Sequence, residues 1–198
     1  ISGIEICDEN ATSLYLNIPH RDGCVNIISL HGQVGTTCGI DQINLNLLKN
    51  QGIDYLALGH LHSYSVHSLD NKGIYCYSGC LEGRGFDECD KKGFVLLTVE
   101  SGRLQHEFVP FCCRQLHQVD VDITGLTKNS EIGQMMKSAV QGIQPDDMVE
   151  FILTGYSDPT ANIAVSYLQN LINNSFFFTK VKNESRMAIN PEDYKNDI

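Results

Sequence analysis

Apolar and polar positions follow two different rhythms along this chain. Up to about residue 112 the apolar residues come in short runs, at 25–30, 53–58, 74–77, 93–99 and 104–109, separated by stretches rich in Gly, Asp and Ser. Runs of this length between turn residues predict strands, and runs without alternation predict strands covered on both faces. One interval reads differently. Asp41 can cap a helix whose apolar positions Ile43, Leu47 and Leu48 share a face, with Gly52 closing it. Ser101-Gly102 predicts the turn between the last two runs.

From about residue 113 the rhythm changes. Residues 116–124 alternate strictly, with Val119, Val121 and Ile123 on one face and Asp120, Asp122 and Thr124 on the other, which predicts a half-buried strand. A helix follows from about Ser130, placing Ile132, Met135, Met136, Ala139 and Val140 on one side and Gly142 at its end. The two methionines read as core. Residues 148–154 predict a strand. Asp158-Pro159 predicts the start of a second helix with Ile163, Leu168, Leu171 and Ile172 inward, and 176–181 the last strand. The pattern is a β-α-β-α-β module of roughly 70 residues, enough to fold beside a larger body. The division expected is 1–112, 113–186 and a polar, frayed tail at 187–198. No internal repeat or low-complexity tract interrupts it.

Composition narrows the class. The 198 residues, 42% hydrophobic, suit one domain or two small ones with a real core. No apolar run reaches membrane-spanning length and the N-terminus lacks a signal-peptide pattern, so the expectation is a cytoplasmic protein with no membrane contact. The chain opens on Ile1-Ser2-Gly3-Ile4-Glu5-Ile6, strand-like and without a starting methionine, as if cut from something longer. Eight scattered cysteines include no Cys-x-x-Cys; the nearest sets are Cys76/Cys80 and Cys112/Cys113. They read as reduced, mostly buried thiols and not as a zinc site. The net charge of −10 disfavours a free-standing nucleic-acid binder, but not an enzyme that meets phosphate through bound cations.

The candidate chemistry lies at two strand ends. The run 25–30 is followed by His31-Gly32, and the run 53–58 by Gly59-His60-Leu61-His62. Histidines two apart, with Gly59 freeing the backbone, can aim ring nitrogens into one small volume. His31 from a neighbouring strand would complete three neutral nitrogen donors. A solvated turn is the alternative, and the residues alone leave both open. The loop 79–88 carries three glycines, Gly79, Gly83 and Gly85, with Arg84 among them. Such a loop can bring backbone and guanidinium to a phosphate, or be a surface turn in which Arg84 pairs with Asp87 or Glu88. His20, His67, His106 and His117 have no comparable context, and no ligand role is expected for them.

These residues resemble a known family. His31 in Leu30-His31-Gly32 and the run Gly59-His60-Leu61-His62 resemble the last two signature motifs of the calcineurin-like metallophosphoesterases. The stretch from Tyr77-Ser78-Gly79-Cys80-Leu81-Glu82-Gly83-Arg84-Gly85-Phe86-Asp87-Glu88 to Lys92-Gly93-Phe94-Val95 resembles the SbcD-type DNA-repair exonuclease branch, and the module from about 113 is similar to its capping domain. The resemblance implies an α/β (α+β) fold: two mixed β-sheets face to face, flanked by helices, present here as the C-terminal part of the phosphoesterase domain plus the cap. It also implies two divalent cations, manganese first with zinc or iron as alternatives, and hydrolysis of DNA phosphodiester bonds by metal-activated water. By position His31 and His60 would serve one metal and His62 the other. Arg84 and Gly83 would meet substrate in the same cleft, and the cap would help place DNA. A coiled-coil ATPase partner of the SbcC type is implied in the same way, while a homodimer is expected for a different reason: without the family's N-terminal half, apolar sheet surface would be left uncovered.

The first three motifs of that family, an Asp-x-His, a Gly-Asp-x-x-Asp and a Gly-Asn-His-Asp/Glu, have no match in this sequence. In the family they supply the bridging aspartate and the histidine that assists the leaving group. Two dications need a bridging anion, which three neutral imidazoles cannot supply. Asp41 reads as a helix cap and Asp54 as a strand start. The remaining ligands are therefore expected outside this chain, and the chain alone is expected to be inactive. Two alternatives stand beside this reading: a non-catalytic binding or assembly module, and a phosphoesterase acting on a small molecule.

Overall fold

A computed structural model of the chain describes residues 1–188. It is a mixed α/β protein of many strands and, among the described residues, two α-helices, as expected of part of an α+β phosphoesterase-like fold. The chain divides into two compact units, one formed by Ile1–Gly83 with Asp90–Cys113, the other by Arg84–Cys89 with Arg114–Ile198.

The first unit is built on a five-stranded sheet. Its strands are β1 (Ser2–Gly3), β2 (Ile27–His31), β5 (Tyr55–Gly59), β7 (Ile74–Tyr77) and β6 (Ser65–Ser68), in that spatial order. All neighbours are parallel except β6 on β7. One sheet face carries Ile28, Leu30, Leu56, Leu58 and Tyr77 into a core shared with Leu14, Tyr15, Ile43, Leu48, Ile53 and Leu69. On the other face Tyr55 and Cys76 are also buried, which explains the unbroken apolar run of β5: a central parallel strand is covered on both sides. Two short strands, β3 (Gln33–Gly35) and β4 (Gln42–Asn44), pair in parallel, and β8 (Gly93–Glu100) with β9 (Arg103–Pro110) forms a hairpin.

The helix expected after Asp41 does not form. Ile43 and Leu48 are fully buried as anticipated, but 42–44 is taken up by pairing with β3, and one 3-10 turn, Leu45–Leu47, remains. Asn44 caps that turn, its side chain accepting from the Asn46 N–H. Asp41 caps nothing; its carbonyl accepts from the Gln33 N–H at 2.8 Å, and Leu47 is exposed. Strand pairing outweighs the helical spacing in a stretch with three asparagines, whose side chains compete with helical hydrogen bonds.

The second unit contains the expected β-α-β-α-β order. β10 (Leu116–Asp122), β11 (Met148–Thr154) and β13 (Phe178–Asn183) form a parallel sheet with β11 central, connected through α1 (Asn129–Ala139) and α2 (Val165–Ile172). Val121, Ile123, Ile132, Met136, Val149, Phe151, Leu153, Leu168 and Ile172 make its core. Helix α1 packs on α2 at Gly133, where a Cβ would meet Leu171. Only Met136 of the methionine pair is core; Met135 is exposed. Asp158 does not start a helix. Its carboxylate accepts from the Thr160 N–H at 2.7 Å, a local turn that competes with helix formation, and α2 begins seven residues later with its Ala164 N–H donating to the Asn129 side chain. Met187, expected in a frayed tail, pairs instead: β14 (Arg186–Met187) runs parallel to β12 (Tyr156–Ser157). The rest of that expected tail, 189–198, lies outside the described residues.

The cysteines are less buried than expected: only Cys76 is fully inside, while Cys24 and Cys113 are exposed. Among the described residues no helix is long and apolar enough to cross a membrane.

Candidate metal centre

Strands β2 and β5 lie in register, His31 opposite Gly59. Ile28 and Leu30 point into the core, so alternation sends His31 to the opposite sheet face. There it lies against a residue without a side chain. A Cβ on Gly59 would stand 2.7 Å from His31 Nδ1, so glycine is the residue that lets this imidazole lie across β5. The chain then turns sharply at His60, whose φ of +107° is a conformation a bulky L-residue rarely adopts. That turn sets the His60 ring edge-to-face with His31, their centroids 5.6 Å apart. Both histidines are exposed to solvent at the strand ends.

Tyr77 fixes the other side of the His31 turn. Its buried hydroxyl donates to the Gly32 carbonyl and accepts from the Val34 N–H, both at 2.9 Å. Burial pushes the Tyr77 phenol above its ordinary range, only partly offset by the Val34 N–H, so it stays a neutral donor. Gly32 has a φ of +151° and packs tightly on the Asp41 backbone and Ile43, where an added Cβ would stand 3.2 Å from each.

The His62 backbone is held from two directions. Its carbonyl accepts from Lys92 Nζ at 2.8 Å and from the Cys80 thiol at 3.5 Å. Gly79, at the end of β7 with a φ of +75°, lies so close to this carbonyl that a Cβ would come within 2.9 Å. Lys92 is 3% exposed, and its ammonium also pairs with Asp90 at 2.7 Å. Neither Tyr77 nor Lys92 stands out in the sequence as a site residue, because a buried lysine and a buried tyrosine look like any others until the fold brings them to the histidine loops.

Two imidazoles sharing one cation at about 2.1 Å from each nitrogen would have centroids roughly 5–6 Å apart. The observed centroid separation of 5.6 Å lies in that range. The full set does not close within the described residues: among them no group of three or more His, Cys, Asp or Glu is arranged to hold a metal. His31 and His60 are the two candidate histidines whose rings the fold brings together. Three of the other histidines are engaged elsewhere: His20 packs under Gly52, His67 stacks on Tyr75, and His117 pairs with Asp147 at 2.9 Å.

Over 119 residues the chain is 29% identical to YhaO of Bacillus subtilis (strain 168), described as an uncharacterized metallophosphoesterase. It resembles a metallophosphoesterase. The match takes in 59% of this chain and 29% of the Bacillus protein, so the chain spans less than a third of the length of that relative. The similarity supports a place among the metallophosphoesterases, a hydrolase family, and with it divalent metal ions in general. It does not distinguish a branch. No family model matches the chain. Such ions, where bound, polarise phosphoryl oxygens and make water more acidic. The part this chain supplies is positional: a Gly59 platform, a Tyr77 brace and a strained turn that keep two imidazoles side by side.

Arg84 and Gly83 fall on either side of the division between the units. In the second unit, the Arg84 N–H donates to the Glu88 carboxylate at 3.1 Å, and its guanidinium lies 3.8 Å from the same group. That long, exposed pairing contributes little stability, but it gives Arg84 a partner within its own loop.

Proposed function

We propose that this chain carries the histidine-bearing portion of a metal-dependent phosphodiesterase whose substrate is DNA, an exonuclease of the SbcD type. The observation that carries the reading is the convergence of His31 and His60 from adjacent parallel strand ends over Gly59. Supporting it are the similarity to a metallophosphoesterase and the sequence resemblance of residues 77–95 to the exonuclease branch. In this reading manganese is the working metal and His62 serves a second ion. Arg84 and Gly83 meet a substrate phosphate, and further ligands, including the bridging carboxylate, come from outside this chain. A coiled-coil ATPase partner, self-association into a dimer and a cytoplasmic location belong to the same reading.

The test is cleavage of linear duplex DNA with manganese by the protein as it occurs in the cell, beside His60→Ala and His31→Ala variants. Cleavage that either substitution abolishes supports the proposal. Cleavage of a nucleotide phosphodiester but not of DNA would move the reading to a small-molecule phosphoesterase, and binding without hydrolysis to an assembly module. The 198-residue chain by itself is expected to show no appreciable cleavage.

A further inference from the structure

We propose that Lys92 is a positioning residue: its buried ammonium, anchored on Asp90, tethers the His62 carbonyl and so holds the strained His60 turn in the geometry that sets its imidazole beside His31. The inference rests on the metal-site reading for its functional meaning, but not for its structural content.

Three observations converge on it. A non-glycine residue at φ +107° is costly and persists only where its surroundings over-determine it. His60 is exposed, so its own packing does not supply that constraint. The restraint acts two residues later. Lys92 Nζ and Cys80 Sγ donate to the one carbonyl of His62, and Gly79 packs beneath it. Second, Lys92 is 3% exposed, and burying an ammonium is unfavourable without charge-assisted partners. Asp90 at 2.7 Å and the His62 carbonyl at 2.8 Å are such partners. A group that costly to bury would be replaced by an apolar side chain were packing its whole role. Third, the base of the tether is rigid. Lys92 immediately precedes β8, where the Gly93 N–H donates to the Cys80 carbonyl and a Cβ on Gly93 would collide with the Val109 carbonyl. The ammonium therefore projects from a fixed point onto a loop that has no sheet partner of its own at His60–Ser63.

The experiment compares wild type with Lys92→Met and Lys92→Arg by two readouts. The first needs no metal: NMR line shapes and exchange of the imidazole resonances of His60 and His62. Lys92→Met should broaden or split these two while leaving those of His67 and His117 unchanged, and Lys92→Arg should restore most of the wild-type spectrum. The second is Co²⁺ affinity followed by its visible absorption. Lys92→Met should weaken it about tenfold, with Lys92→Arg within about threefold of wild type. Leu69→Ala, a core truncation at the other end of β6, serves as the control: it should lower the melting temperature without changing either readout. If Lys92→Met fails to fold, Lys92→Gln takes its place. Unchanged His60 and His62 resonances in a folded Met or Gln variant overturn the tether. Wild type without saturable Co²⁺ binding would instead overturn the metal-site reading, and the tether would still be judged by the metal-free spectra.

Discussion

The two units of this chain use their strand ends in opposite ways. In the second, the ends of the parallel strands are closed by local turns: the Asp122 carboxylate accepts from the Thr124 N–H and the Asn183 side chain from the Ser185 N–H. Its positive-φ residues among those described are all glycines, Gly125, Gly142 and Gly155. Its buried charge, Glu150, is braced inside its own sheet by Lys180, Lys182 and Gln118. In the first unit two adjacent interior strands, β2 and β5, run out into histidines, one of them strained, and the buried Lys92 reaches across to a loop carbonyl. Conflicts with local preference mark places where structure serves something other than stability. By that measure the His60 turn and the buried Lys92 set the first unit apart from the second.

The comparison can be broken most forcefully in the second core. Phe151→Ala, at a fully buried site on the central strand, should cost about 3–5 kcal/mol in chemical denaturation. Metal affinity measured under folding conditions should stay unchanged, and a parallel loss would mean that the units are not separable in energy. Tyr77→Phe, on the histidine side, should cost about 1–3 kcal/mol, because the Gly32 carbonyl and the Val34 N–H both lose their partner. Unlike the first substitution it should also weaken metal binding, which calorimetric titration would show.

Gly59→Ala sharpens the comparison at smaller cost. The added methyl would sit 2.7 Å from His31 Nδ1 and push the ring away, so Co²⁺ affinity should fall about tenfold with little change in melting temperature. The equivalent change at Gly102, where a Cβ meets nothing but φ is +74°, should do the reverse: a small loss of stability and unchanged affinity.

The smallest effect concerns pH. Asp70 is held below the ordinary carboxylate range, chiefly by the Gly73 N–H, with the Lys72 and Asn50 N–H groups and the Lys72 charge adding to it against the cost of burial. A depressed folded-state pKa contributes stability above the unfolded value of 3.8, and that contribution disappears as pH falls through the lower folded value. Asp70→Asn should therefore lower stability by about 1 kcal/mol at neutral pH, and the gap to wild type should narrow below pH 4 in urea titrations. A gap independent of pH would show that the amide replaces the carboxylate in every role.

Much of this was legible in the chain. The alternation of 116–124 and the apolar faces of the two helices placed the β-α-β-α-β module because each segment there obeys a single period. His31 and His60 were legible as neighbours because each ends an apolar run beside a glycine. The region 41–52 was misread because helical spacing of Ile43 and Leu48 is also satisfied by a short strand followed by one turn, and only the pairing with β3, a tertiary choice, decides between them. The α2 start was misread because Asp-Pro serves a tight turn as well as a helix cap, and the Thr160 side chain and N–H claimed the carboxylate. Tyr77 and Lys92 fall in the stretches that carry the family resemblance, but their roles were not legible, since these depend on hydrogen bonds spanning 43 and 30 residues of sequence.

The central claim, that His31 and His60 together form one side of a metal site, is tested most directly by paramagnetic NMR. Mn²⁺ is titrated into the chain while the imidazole resonances of all seven histidines are followed. The account predicts saturable broadening that begins at His31 and His60 together and leaves His20, His67, His106 and His117 sharp, with both effects lost when either His31 or His60 is replaced by alanine. Broadening that starts elsewhere, or that affects one of the pair while sparing the other, would contradict it.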